Sequence, residues 1–421
     1  MPHPAALTPG KLPFVVWMLA AGTFLMGTTE FVIAGILPDI APDLGASVSH
    51  AGLLVTAFAV GMILGGPTMA LATLRLPQRL TLVLALAVFA VGHILSALTS
   101  SFTVVLAARF VTALATGAFW AVGFVIATTA AGPANATRAV SVMMGGLTLA
   151  NVVGVPAGSL AGHVTGWRGL FWALATLAAL AAAVIGRFLP RTPQRAQVSV
   201  RGEIRALRQG RRLWLALAAA GLIMGGILAT YTYITPLLTH RAGIPAGAVP
   251  LVLVAFGAGA LGGTVIGGRF GDRRPMATTI PAAAATALAL LALIPLSTSP
   301  AAAVALIFLM ALTGFTINPV VTALAVRFAG DAPTLTSALT TSAYNTGIAA
   351  GSALAGQALT SSRGVTGSAL IGALFTGLTL LPLIALATAA QRGTTRIVTQ
   401  NTPDAQIPAP RQTTEATSTR S

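Results

Sequence analysis

The sequence predicts an all-α integral membrane protein, with twelve transmembrane helices in two six-helix pseudo-symmetric halves and both termini cytoplasmic. Three observations carry this. Only 8% of residues are charged and 55% are hydrophobic, where soluble domains carry about 25% charged residues. The apolar residues come in long blocks, about the 20 residues a helix needs to cross a bilayer, and not in the short alternating segments of a β-barrel. The basic residues cluster in alternate loops, so the net charge of +16 reports membrane topology and not a nucleic-acid surface. The chain has no cysteine, which excludes disulfide and thiol chemistry and leaves the redox compartment open.

The twelve segments are expected at 13–37, 50–73, 80–98, 102–128, 138–162, 168–189, 213–238, 247–268, 277–296, 301–325, 334–360 and 367–389. The first is too long for a signal-peptide core and lacks a polar stretch after a cleavage site, so it is read as retained. With the N-terminus inside, only Arg168, Arg241 and Arg363 fall outside, Arg109 lies within a span, and Lys11 and the remaining arginines fall inside. The organisation is then an N-terminal cytoplasmic segment 1–12, a six-helix half 13–189, a basic cytoplasmic linker 190–212, a second half 213–390 and a disordered cytoplasmic tail 391–421, rich in Thr, Gln and Pro. A single lysine among many arginines, with abundant alanine, points to a high-GC bacterial genome, hence to a multi-pass protein of the bacterial cell (inner or plasma) membrane.

A repeat supports the two halves. Span five carries NVVGVPAGSLAGH (151–163) and span eleven NTGIAAGSALAGQ (345–357), matching at Asn151 and Asn345, Leu160 and Leu354, Ala161 and Ala355, Gly162 and Gly356. Such internal repeats are expected of secondary transporters. The loop after the second span of each half is basic, with Arg75 and Arg79 in the first and Arg269, Arg273 and Arg274 in the second.

Of the acidic residues, only Glu30 lies inside a span. Asp39 follows Pro38, where the first helix is expected to end; Asp43, Glu203, Asp272, Asp331, Asp404 and Glu415 fall in loops or tails. Glu30 precedes Leu37 by seven residues and Arg109 follows Phe102 by seven, which puts both about 10 Å below the outer surface. A charge inside the bilayer costs at least ~2.5 kcal/mol and faces the bundle interior or water. Two readings follow: a titratable group lining a pathway and tuned by Arg109, or a structural salt bridge. Asp39, on the opposite helix face from Glu30, reads as a helix-end or gate residue.

On the face of Glu30, Met26, Gly27 and Ala34 are cavity candidates; on that of Arg109, Thr112, Thr116 and Trp120, although a threonine in a span also bonds within its own helix. Asn151 and Asn345 are mid-span amides suited either to substrate or to holding helices together. Tyr231, with Tyr233 and Tyr344, suits the pathway or the membrane interface. Gly154, Pro156, Gly158 and Gly162 predict a bent span five, packed closely on span one or on a partner from the other half and acting as a gate. His93 reads as a satisfied core residue. His3, His50, His93, His163 and His240 are scattered away from acidic pairs, which argues against a metal site and against an enzyme. No glycine loop leads to Lys-Ser/Thr, so ATP is not the expected driver.

These residues resemble those of the major facilitator superfamily over about 13–390. The superfamily's loop motif is matched by Gly268, Asp272, Arg273 and Arg274; the first-half copy keeps Gly65, Gly66, Arg75 and Arg79 but lacks the aspartate. The span-four arginine motif of proton-coupled members is similar to Arg109 with Gly117. The span-five antiporter motif resembles Gly154, Pro156, Gly158 and Gly162, with Gly154-Val-Pro156 in place of the usual Gly-Pro pair. GTTEFVIAGILPDIAPDLG, together with TLANVVGVPAGSLAGHVTGWRGLFW, is similar to the drug/proton antiporter branch that includes chloramphenicol-resistance and arabinose-efflux-type exporters. The resemblance implies proton-coupled efflux of small lipophilic drug-like molecules, chloramphenicol being the best guess. It implies Glu30 in proton and drug handling, no cofactor beyond the proton gradient as energy source, and as partners a small-molecule substrate, protons and membrane lipid, with no nucleic acid and a monomeric state. The alternatives are an exporter of a sugar or other polar metabolite, and a non-transporting scaffold or sensor.

Overall fold

In the computed structural model, residues 12–72, 76–132, 135–189, 210–328 and 333–400 are described. The N-terminal segment to residue 11, Arg75, most of the basic linker (190–209) and the tail from 401 lie outside them.

The described chain is helical almost throughout. Its elements are α1 (Phe14–Phe31), α2 (Ile33–Asp43), α3 (Val48–Ala51), α4 (Leu53–Ala72), α5 (Gln78–Leu98), α6 (Phe102–Ala131), α7 (Ala136–Leu149), α8 (Val155–Phe188), α9 (Arg211–Thr232), α10 (Val249–Gly271), α11 (Pro275–Leu296), α12 (Pro300–Phe328), α13 (Pro333–Leu359) and α14 (Thr366–Gln400). Each expected segment coincides with helix. Among the described residues, ten segments are long and apolar enough to cross a bilayer. One of them, Arg138–Phe188, is 51 residues long and joins two expected spans. Gly166 breaks it, with φ of 75° and ψ of 156°, a conformation that glycine adopts without Cβ strain. The expected span 334–360 forms α13, but its many Ser and Thr residues keep it out of the ten.

Helix α5 shows why these helices need lipid. Its outward row is Leu80, Leu84, Val88, Val91, Leu95 and Leu98, all exposed, while Thr81, His93 and Ser96 are buried. Polar-in, apolar-out at helical spacing is stable only against hydrocarbon.

Two boundaries differ from expectation. The first span does not stop at Pro38: after a break at Val32, α2 runs through Pro38 and Pro42 to Asp43, so Asp39 lies within a helix. Proline deprives the carbonyl four residues back of its partner. Here the Ala34 carbonyl accepts a hydrogen bond from the Thr235 hydroxyl at 2.8 Å, so the helix continues. At the other end of the chain, α14 reaches Gln400, past the expected start of the tail at 391; no proline stops it before Pro403.

The glycines of α7 and α8 set the packing on the first span. Gly146 abuts Ala20, Gly154 abuts Thr28, Gly158 abuts Val32 and Gly162 abuts Ile36, a constant register in which both chains advance together. Between α7 and α8, Ala150–Gly154 forms a π-helical turn, which absorbs the hydrogen bond that Pro156 cannot make. A π-helical turn stands where the bend is expected; the glycine run packs on the first span, and Gly257 of the other half packs on the turn itself.

The buried apolar residues form one large cluster and smaller ones. The largest joins Ile36, Val55, Trp167 and Phe171 to Ile223, Leu253, Ile307 and Ala355, so residues from before and after the linker share one core. Leu19, Phe89, Phe119 and Met143 belong to a second cluster, and Leu213, Val320, Leu324 and Leu386 to a third. These two are separate, so the two groups of helices are fused at one end and apart at the other.

The glycine register yields a prediction. A Cβ on Gly158 would lie 2.8 Å from Val32 Cγ2, so Gly158→Leu should destabilise the folded protein by about 1–3 kcal/mol through overpacking. Gly145→Ala, where an added Cβ meets nothing within 4 Å, should leave stability unchanged. Thermal unfolding in detergent measures both.

Candidate functional site

Glu30 sits in the last turn of α1, just before the break at Val32. Its half-buried side chain lines a cavity with Phe31, Val55, Phe58, Ala59, Leu228, Asn345 and Ile348. The walls thus come from α1, α4, α9 and α13, from both sides of the linker. The cavity offers about 10 Å³ to water centres, about one water's worth. Asn345 is buried; its Nδ2 donates to the Thr341 carbonyl at 3.0 Å, and its Oδ1 has no partner among the described residues. The cavity lining is apolar apart from one carboxylate and one open amide acceptor; as closed here it has room for a water and not for a drug-sized ligand, which needs the helices to part.

Arg109 is buried at 2% exposure, with its guanidinium 4.2 Å from the Phe58 ring centroid. It makes no ion pair with Glu30 within 4.0 Å among the described residues. Its Nη1 donates to the Thr29 carbonyl at 3.1 Å. The two residues share a depth and a neighbourhood, and the arginine is held by the residue preceding the acid.

The other candidates divide by surroundings. Met26 is fully buried beside Phe119 in the second core cluster, and Gly27 abuts Leu147 and Ala150; both pack helices. Ala34 supplies the carbonyl that Thr235 caps. Thr112 and Thr116 bond within α6, to the carbonyls of Arg109 and Thr112. Trp120 stacks on Phe124 with centroids 5.4 Å apart, and its Nε1 is buried without a partner among the described residues. Asn151 donates to the Leu147 carbonyl at 3.2 Å, and Gly257 of α10 packs on its backbone. Tyr231 is buried between Phe31 and Phe256, at centroid distances of 6.4 and 4.3 Å. Pro156 is buried at the start of α8.

Asp39 is 3.3 Å from His163 Nδ1, tying α2 to α8. A turn further on, Asp43 accepts hydrogen bonds from Trp167 Nε1 at 2.9 Å and from Arg168. These bonds hold its carboxyl below the usual carboxylate range. Gly268, Asp272 and Arg273 are exposed at the end of α10, and neither Asp272 nor Arg273 is ion-paired among the described residues.

Sequence reasoning passed over the contact that closes one end of the molecule. The helix after α9 breaks at Tyr233, whose φ is −111° and ψ 26°. Its ring fills a notch between Gly52 and Gly356, and its hydroxyl donates to the Ser352 carbonyl at 3.2 Å. Alongside, Thr56 bonds Ser352 at 2.9 Å, and the Ser49 hydroxyl donates to the Gly356 carbonyl. The signal was available in the match of Gly356 to Gly162, which marked close packing without naming what packs.

Known proteins share this arrangement. The Major Facilitator Superfamily profile matches residues 19–356. A chloramphenicol resistance protein of Streptomyces lividans is 35% identical over 380 residues, spanning 88% of this chain and 95% of its own. The inner membrane transport protein YdhP of Escherichia coli K12 is 32% identical over 371 residues, again 88% and 95%. Among solved structures, a bacterial homologue of the human lysosomal transporter Spinster, in an inward-facing and unoccupied conformation, superposes with TM-score 0.70 at 15% identity, over 90% of this chain and 96% of that one.

The Tyr233 notch makes a test possible. Gly52→Leu collides with the tyrosine and should destabilise this closed end by about 1–3 kcal/mol, with a lower transport rate. Combining it with Tyr233→Ala, which empties the notch, should restore part of the rate. Initial rates in membrane vesicles measure both.

Proposed function

This chain belongs to the Major Facilitator Superfamily, and we propose that it is a proton-coupled antiporter that exports small lipophilic drug-like molecules, with chloramphenicol the first to try. It is a multi-pass integral membrane protein and a secondary transporter of small molecules, built on a fold of carriers, not enzymes. One observation carries the finer reading: Glu30, the only carboxylate in the apolar spans among the described residues, lines a cavity that is apolar but for Asn345, is shared by both sides of the linker, and has no ion-pair partner within 4.0 Å among those residues. A structural salt bridge would be expected to pair it.

The core clusters support alternating access. The end with Tyr233, Thr235 and the Asp39–His163 tie is fused, and the opposite end is divided between two separate clusters. With the N-terminus inside, this is an inward-facing arrangement. The matching of helix pairs supports two equivalent halves: α1 with α7, α4 with α6 and α5 with α8 recur as α9 with α13, α10 with α12 and α11 with α14. The glycine contacts recur too, as Gly221 against Gly347 and Gly225 against Gly351.

In this reading, substrate enters from the cytoplasm as the halves part and settles against Phe31, Phe58 and Asn345 while Glu30 is ionised. After the halves rock, a proton from outside neutralises Glu30 and substrate leaves. The proton is released inside when the cycle resets. The name of the Streptomyces relative makes chloramphenicol the natural first candidate, and the apolar walls favour it over a sugar.

Expressed in an efflux-deficient bacterial host, the chain should raise resistance to chloramphenicol or to another lipophilic compound in a susceptibility panel. Glu30→Gln should abolish that resistance with membrane levels unchanged. Full resistance in the Glu30→Gln strain would refute proton coupling through this residue.

A further inference from the structure

Arg109 is expected to serve Glu30, yet its guanidinium is fastened elsewhere. Nη1 donates to the Thr29 carbonyl at 3.1 Å and lies 3.5 Å from the Thr29 hydroxyl. Nε and Nη2 are buried without a hydrogen-bond partner among the described residues. Thr29, fully buried, is in turn bonded to His93: Thr29 Oγ1 lies 2.6 Å from Nε2, and Nδ1 lies 2.8 Å from the Phe89 carbonyl. A carbonyl only accepts, so Nδ1 carries a hydrogen. In the neutral ring Nε2 is then a bare acceptor, and the Thr29 hydroxyl donates to it. That turns the hydroxyl's lone pairs toward Arg109. The chain runs from Arg109 through Thr29 and His93 to the Phe89 carbonyl, with every donor pointing the same way, an arrangement in which each bond polarises the next.

Packing holds the imidazole in this role. The Phe89 and Phe171 ring centroids lie 4.2 and 5.4 Å from it. The groups against His93 are Thr29 from α1 and Phe171 from α8, with Arg109 of α6 reached through Thr29; of these only Arg109 is ionisable. Around Glu30, α4 presents Val55, Phe58 and Ala59, α9 presents Leu228, and α13 presents Asn345 and Ile348. Arg109 from α6 is therefore the charged group near the carboxylate among the described residues.

We infer that His93 and Thr29 are positioning residues for proton coupling. They clamp one arm of the Arg109 guanidinium to the residue preceding Glu30, fix the separation between guanidinium and carboxylate, and leave Nε and Nη2 open to receive that carboxylate when α1 moves. The inference rests on Glu30 being the coupling carboxylate. It changes the reading of His93 from filler of the core to the far end of the clamp. Without the hydroxyl the guanidinium keeps only the Thr29 carbonyl and can swing on that single bond toward Glu30, where a closer positive charge favours the ionised carboxylate.

The test needs no transported substrate. In purified protein, the infrared carboxyl stretch that disappears in Glu30→Gln is followed through a pH titration. Thr29→Val keeps the side chain's shape and removes the hydroxyl; His93→Leu removes the acceptor. Each should move the titration midpoint toward acid by about half a unit or more. Thr29→Ser should restore the wild-type midpoint, and the double variant should shift no further than either single one, because both break the same chain. Unmoved midpoints in Thr29→Val and His93→Leu, or a double shift equal to their sum, would overturn the clamp while leaving Glu30 as the coupling group. A wild-type protein with no Glu30-dependent band at any pH would overturn the coupling reading and the clamp with it. If His93→Leu does not fold, Thr29→Val and Thr29→Ser decide alone.

Discussion

The structure depends on a carboxylate placed in an apolar helix without a direct counter-ion among the described residues. Ionisable groups inside a bilayer are costly and normally paired. Here the one basic side chain at that depth is tied to the backbone of Thr29, one residue away. Glu30 is thereby near a positive charge but not neutralised by contact with it, which is what the proposed proton exchange requires. A tight ion pair at this point would stabilise one conformation and oppose the next.

The rest of the fold serves to let those surroundings change. Glycines at four-residue steps, Gly154, Gly158 and Gly162, let the side chains of Thr28, Val32 and Ile36 seat directly on the backbone of span five. The breaks at Val32 and Tyr233 and the π-helical turn at Ala150–Gly154 lie on the spans that line or close the cavity, where regular hydrogen bonding gives way. At the fused end the two groups of helices meet through hydroxyls and carbonyls: Ser49 with Gly356, Thr56 with Ser352 and Thr235 with Ala34. Such bonds are individually worth about 1 kcal/mol, few enough to part and re-form in a transport cycle.

Much of this was legible in the sequence because it is one-dimensional. Block length placed the helices, and 1.5 Å per residue put Glu30 and Arg109 at one depth. The run from Gly154 to Gly162 announced close packing, and the first span is what it packs on. What the sequence withheld depends on rotation about a helix axis and on which distant atom satisfies a freed group. Met26 and Gly27 share the face of Glu30 by angle but meet α6 and α7 in packed core. Pro38 read as a helix end because nothing nearby reveals that Thr235, almost 200 residues on, caps Ala34. His93 read as a satisfied core residue and is one, buried with both ring nitrogens bonded; that Thr29, 64 residues away, satisfies it was not legible.

The central claim is that Glu30 exchanges a proton for substrate in a cavity shared by the two halves. Its most direct test is proton movement in proteoliposomes loaded with a pH-sensitive dye and given a concentration gradient of the compound the chain exports. The account predicts that the substrate gradient alone drives protons in the opposite direction, and that this flow vanishes in Glu30→Gln. Substrate crossing with no accompanying proton flow in the wild-type protein, or equal proton flow in the variant, would contradict it.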